Sequence, residues 1–97
     1  MVPLSPRTRH HLEALFAPAL RAEAARLLEE ECADDLPFCE GSGPLELERV
    51  RFAALKLSRG ELARLAEWVA MAQTDWRDVL VAAGWGEDAK AHLRWRP

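Results

Sequence analysis

The chain has 97 residues, 49% of them apolar and 30% charged, with a formal net charge of −3. A chain of this length buries roughly 65% of the surface it exposes when unfolded, enough for one hydrophobic core without disulfides or metals. These values exclude a second domain and most disordered compositions, and the acidic total disfavours nucleic acid or anionic lipid unless one face is locally basic.

Ala (17) and Leu (15) dominate, there are only five Val and two Thr, and Ile, Tyr and Asn are absent. This supply of helix formers and shortage of strand formers predicts an all-α fold: a compact five- or six-helix bundle forming a single domain over residues 1–97. Ser5 followed by Pro6 predicts an N-cap with proline at the first helical position. The helix it starts runs to about Phe16, with Leu12, Leu15 and Phe16 on one face. Pro18 starts a second helix, whose stripe is Leu20, Ala24, Leu27 and Leu28, continued in polar form by Glu31. Residues 34–44 read as the one substantial loop, anchored by Leu36 and Phe38.

Pro44 opens a third helix with Leu47, Val50, Ala54 and Leu57 on one side and Phe52 and Leu55 on another. A helix apolar on more than one face is expected at the centre. Ser58 and Glu61 fit a capping box, with Leu57 and Leu62 as its hydrophobic staple, so a fourth helix is expected to start at a corner near Ser58. It carries Leu62, Leu65, Val69 and Ala72, with Trp68 and Met71 beside them. Thr74 is the expected cap of a fifth helix bearing Trp76, Val79, Leu80 and Ala83. One continuous helix over residues 59–83 is the alternative. Gly84 suits a left-handed C-cap, with Trp85 folding back toward Leu80. Residues 87–94 make a short last helix.

The N-terminal residues lack the apolar stretch of a secretory signal, and no apolar run approaches membrane-spanning length. A cytoplasmic protein is expected, with Cys32 and Cys39 as free thiols and a local bridge between them as the alternative. Neither cysteine nor the histidines follow a metal-ligand spacing; His10, His11 and His92 are expected to face solvent, and no metal or cofactor is implied. Two of the three serines have capping roles, and no pair of carboxylates is singled out for acid–base work. No catalytic residue is therefore assigned, and the chain is expected not to be an enzyme. A small enzyme remains as a third reading, which a deep polar pocket with perturbed titratable groups would favour.

Charge is unevenly spread. Residues 27–48 hold eight acids and no base. Glu29, Glu30 and Glu31 fall in the last turns of the second helix, where the helix dipole disfavours anions by roughly 0.3–1 kcal/mol each. Arg49, Arg51 or the N-terminal arginines are expected to offset them within the fold. The alternative is a docking surface for a basic protein partner that also includes Asp34 and Asp35. Four tryptophans are too many for a bundle this small to bury completely, so Trp85 or Trp95, with Arg94 between them in sequence, is a candidate partner or self-association surface. The competing reading is a nucleic-acid-binding regulator. Residues 57–66 (LSRGELARLA) look like the first helix of a degenerate helix-turn-helix, and HLRWR at residues 92–96 is basic with an aromatic.

The segments TDWRDVLVAAGW (residues 74–85) and RFAALKLS (residues 51–58) resemble stretches of small, uncharacterised all-helical bacterial proteins. That resemblance covers most of the chain from Leu27 onward and implies no activity, cofactor or catalytic residue. The expected function is binding of another protein, as an adaptor or regulatory domain.

Overall fold

Ser5 and Pro6 start the first helix as their chemistry dictates. In the computed structural model, which describes residues 2–33, 44–88 and 90–97, α1 spans Pro6–Leu15 and the Ser5 Oγ accepts the Thr8 N–H at 3.1 Å. Pro6 sits where its missing N–H has no helical partner to lose. Phe16 leaves the helix in extended conformation. Arg21 then covers the open carbonyls, donating to Phe16 O at 3.0 Å and Glu13 O at 2.9 Å. Pro18 opens α2 (Pro18–Arg26). This helix widens directly into a π-helical turn, Leu27–Glu31. Of its expected stripe, Ala24, Leu27 and Leu28 are buried while Leu20 stays exposed. The loop expected over residues 34–44, with its anchors Leu36 and Phe38, lies almost wholly outside the described residues.

α3 (Pro44–Ser58) is the central element. Val50, Phe52, Ala53, Ala54 and Leu55 are each 0% exposed. Consecutive helical residues point about 100° apart, so burial of four in a row means that α3 is covered on every side. α4 packs against it most extensively, with α1 and the C-terminal turn on other faces.

The corner after α3 corrects one expectation. Ser58 ends α3 instead of opening the next helix. Its Oγ donates back to Leu55 O at 2.7 Å, and Glu61 pairs with Arg64 at 2.7 Å instead of closing a capping box. The turn is made by backbone geometry: Arg59 and Gly60 both adopt the left-handed region, at φ 52° and 79°. A side chain on Gly60 would put its Cβ 2.5 Å from the Leu15 carbonyl oxygen, so glycine also sets how closely α1 approaches this corner. Residues 57–66 thus straddle a turn and are not the opening helix of a helix-turn-helix.

α4 spans Leu62–Ala82. Only Asp75 departs from helical geometry inside it, at φ −155° and ψ 98°. The break falls one residue beyond the expected cap. Thr74 Oγ1 donates to Ala70 O at 3.3 Å, whereas the Asp75 carboxylate accepts the Arg77 N–H at 3.1 Å and so acts as an internal cap. The helix ends as the sequence predicts. Gly84 stands at φ 83°, its N–H donates to Val81 O, and the Trp85 N–H reaches back to Leu80 O at 2.9 Å. The expected last helix over residues 87–94 is reduced to a single 3₁₀ turn, Ala91–Arg94.

Among the described residues the regular structure is therefore four α-helices, one of them kinked, and not five or six. There is no strand among the described residues. The fold is compact, with a radius of gyration of 11.9 Å.

Candidate functional site

Two regions gather the side chains that the sequence singles out. The first is the acidic turn. Glu29 and Glu31 are half-buried and Glu30 is exposed on the π-helical turn. Arg26 is the cation beside them, 3.8 Å from Glu30 and 3.5 Å from Glu31, and it also grips Glu23. That contact holds the Glu23 carboxyl below its ordinary range and raises the Arg26 guanidinium. Asp34 and Asp35, assigned to the same surface, lie outside the described residues.

The turn is held from below through its backbone. Arg51, 3% exposed, donates to Cys32 O at 2.9 Å, Leu28 O at 3.0 Å, Pro3 O at 3.1 Å and Val2 O at 2.6 Å. Gln73 from α4 donates to Glu31 O at 2.7 Å, and the Val2 N–H donates to Glu29 O. Burial works against the Arg51 charge. Two carbonyls of the π turn and its end, Leu28 O and Cys32 O, two of the N-terminal residues, and the nearby charges of Glu29 and Glu48 compensate it. Of the arginines expected to offset the acids, Arg26 pairs with Glu30 and Glu31, Arg51 feels the charge of Glu29 while its hydrogen bonds go to main-chain oxygens, and Arg49 turns to main-chain oxygens. Arg49 donates to Trp85 O and, at 3.3 Å, to Asp88 O.

The second region is the C-terminal aromatic cluster. The structure brings Trp85 and Trp95 together at 5.9 Å between ring centroids. It places Trp85 in the core at 6% exposure, so its ring packs inward instead of facing a partner. Lys56 stands 5.1 Å over that ring and donates from Nζ to Ala83 O. Trp95 is half-buried against the core. Arg94 is exposed and paired with Asp88, a contact that, after the Lys90 N–H, holds the Asp88 carboxyl low.

The histidines correct the expectation that all three face solvent. His10 is exposed, but His11 and His92 are 2% and 0% exposed. Both flank Phe52, at 4.8 and 5.4 Å between centroids. Their sequence positions give no hint of this, because Phe52, the ring they share, lies about forty positions from each. Arg51 and Gln73 escape a sequence reading for the same reason.

Cys32 is buried, and Cys39 lies outside the described residues. No cluster of three or more metal-ligating side chains occurs among the described residues, and no helix among them is long and apolar enough to cross a membrane. A cavity of about 90 Å³ beside Arg51, lined also by Val2, Thr8 and Glu48, is small for a substrate. A shallow depression runs over Val81, Gly84, Gly86, Glu87 and Asp88. Compared with known proteins, the chain matches no family model, no curated protein and no solved structure.

Proposed function

We propose that this chain is a protein-binding helical domain, adaptor or regulatory in role, whose docking surface is the acidic turn of Glu29, Glu30 and Glu31. The supporting observation is how that turn is held. Its main chain is fixed by Arg51 and Gln73, while the carboxylates of Glu30 and Glu31 share one exposed guanidinium, Arg26, with Glu23. Carboxylates on a fixed backbone lose little conformational freedom on docking, which favours a basic partner surface. A basic protein partner is therefore proposed, in a cytoplasmic setting.

The nucleic-acid reading draws less support. The exposed charges along α4 and at its N-cap are Glu61, Arg64, Glu67, Asp75, Arg77 and Asp78, an acidic majority that repels phosphate.

The test is capture from nuclease-treated host lysate with wild type and a Glu29→Gln, Glu30→Gln, Glu31→Gln triple variant. The expected outcome is loss of a basic partner with the melting temperature kept within a few degrees, because Gln keeps the shape of each side chain and none of the three is buried. Identical partner sets would overturn the acidic surface. Binding of purified wild type to DNA or RNA that falls steeply with salt would favour the nucleic-acid regulator.

A further inference from the structure

The C-terminal segment, residues 91–97, is a cover over α1 and α3. It is fastened by the Arg7 guanidinium donating to Leu93 O and by rings: Trp95 meets His11 edge-on at 5.1 Å and stands 6.0 Å from Phe52. Beneath it, His11 is held by ring contacts, with both ring nitrogens lacking a hydrogen-bond partner among the described residues. A neutral imidazole has one donor and one acceptor to leave unmet there. A protonated one has two donors and a full charge at a position only 2% exposed, which is far more costly.

The groups around His11 sharpen the effect. From α1 come Arg7 and His10, the latter 5.9 Å away between centroids. The C-terminal segment contributes Arg96 and the neutral Trp95, and α3 contributes the neutral Phe52. Further along the same faces, Arg49 and Lys56 of α3 are engaged with main-chain carbonyls, and Asp88 is engaged with Arg94 and the Lys90 N–H. The charges His11 feels are thus of its own sign. Burial first, then Arg7, His10 and Arg96, push its pKa below the ordinary 6.5.

We propose that residues 91–97 form an acid-released latch with His11 as its trigger. When His11 takes up a proton, the segment lifts from α1 and α3, the imidazolium reaches water, and the face bearing Phe52 and Trp85 is uncovered. The segment leaves, and α1 stays, because their anchoring differs. α1 is a ten-residue helix rooted through Thr8, Leu12 and Phe16, each 1–2% exposed, whereas the segment has one 3₁₀ turn with a single fully buried side chain, His92, beside a half-buried Trp95. Local opening follows the weakest attachment. His92, carried on the segment, moves into water with it.

The test follows tryptophan emission, near-ultraviolet and far-ultraviolet circular dichroism from about pH 8 to about pH 4.5, the range in which histidine titrates. The proteins are wild type, His11→Phe and His92→Phe. A parallel NMR titration follows the His11 ring and its contacts to Trp95. Wild type is expected to lose the tertiary signal, with emission moving to longer wavelength and a midpoint below pH 6.5, while helical signal is retained. His11→Phe, which keeps a ring but takes no proton, stays latched, and His92→Phe keeps the transition. The proposal is overturned if His11→Phe shows the wild-type transition, if His92→Phe abolishes it, or if helix and tertiary signals vanish together. It is equally overturned if the wild-type His11 ring protonates while its contacts to Trp95 persist, a result that does not depend on either variant folding.

Discussion

Arg51 shows what a single side chain does here. It is a buried cation whose hydrogen bonds go to four main-chain oxygens on three stretches of chain: the N-terminal residues Val2 and Pro3, the π turn at Leu28, and Cys32 just past that turn. Arg51→Leu takes the donor from the buried Leu28 and Cys32 oxygens and from the part-buried Val2 and Pro3 oxygens. Each such loss costs about 1–3 kcal/mol, so the substitution is expected to destabilise the fold by about 3 kcal/mol or more. Arg51→Lys recovers only part, because an ammonium cannot span the sites that a planar fork reaches. Urea midpoints of the three proteins check this, and an unchanged midpoint for Arg51→Leu would remove Arg51 from its assigned role.

Residue-level features were readable from sequence only where the partner is close along the chain. Ser5 with Pro6 and Gly84 with Trp85 involve partners three to five residues away, and both formed as expected. The Arg51 contacts span nineteen to forty-nine positions, and periodicity carries no record of them. Trp76 illustrates the converse. Its spacing placed it with Val79 and Leu80 on a core face, yet it is half-buried with Arg77 lying 5.5 Å over its ring.

At the scale of elements, α4 is one helix interrupted at a single residue. The Asp75 carboxylate takes the N–H that the break sets loose at Arg77, so the kink carries its own cap. Asp75→Ala is expected to cost about 1 kcal/mol, the usual value of an N-cap. Thr74→Ala is expected to change stability by less than about 0.5 kcal/mol, because the Thr74 hydroxyl only bonds back to Ala70 on the exposed side. Chemical denaturation of both variants distinguishes them; equal losses would return the cap to Thr74. The sequence located this break to within one residue, since two adjacent polar side chains compete for one cap. The π turn was not legible: LLEEE reads as ordinary helix, and its widening depends on Arg51 and Gln73 arriving from elsewhere.

For the molecule as a whole, His11 ties stability to pH. Its folded pKa lies below the unfolded 6.5, so between the two the unfolded chain binds more protons. Stability therefore rises with pH across that window, is fully present above about 6.5, and is lost as pH falls through the folded value. Urea unfolding across the window is expected to show this loss in wild type and to show it reduced in His11→Phe. A His11→Phe curve parallel to wild type would assign the dependence to other groups. The all-α architecture and the central place of α3 were legible because helical periodicity and burial on several faces are properties of the sequence pattern itself. The acidic turn was legible as composition, while the fixed backbone beneath it was not.

The position of Phe52 has a consequence for biosynthesis. Its ring is enclosed by His11, made earlier, and by His92 and Trp95, made about forty residues later. A nascent chain that has emerged only as far as the end of α4 lacks both later rings, so Phe52 cannot be enclosed until residues 92–95 are made.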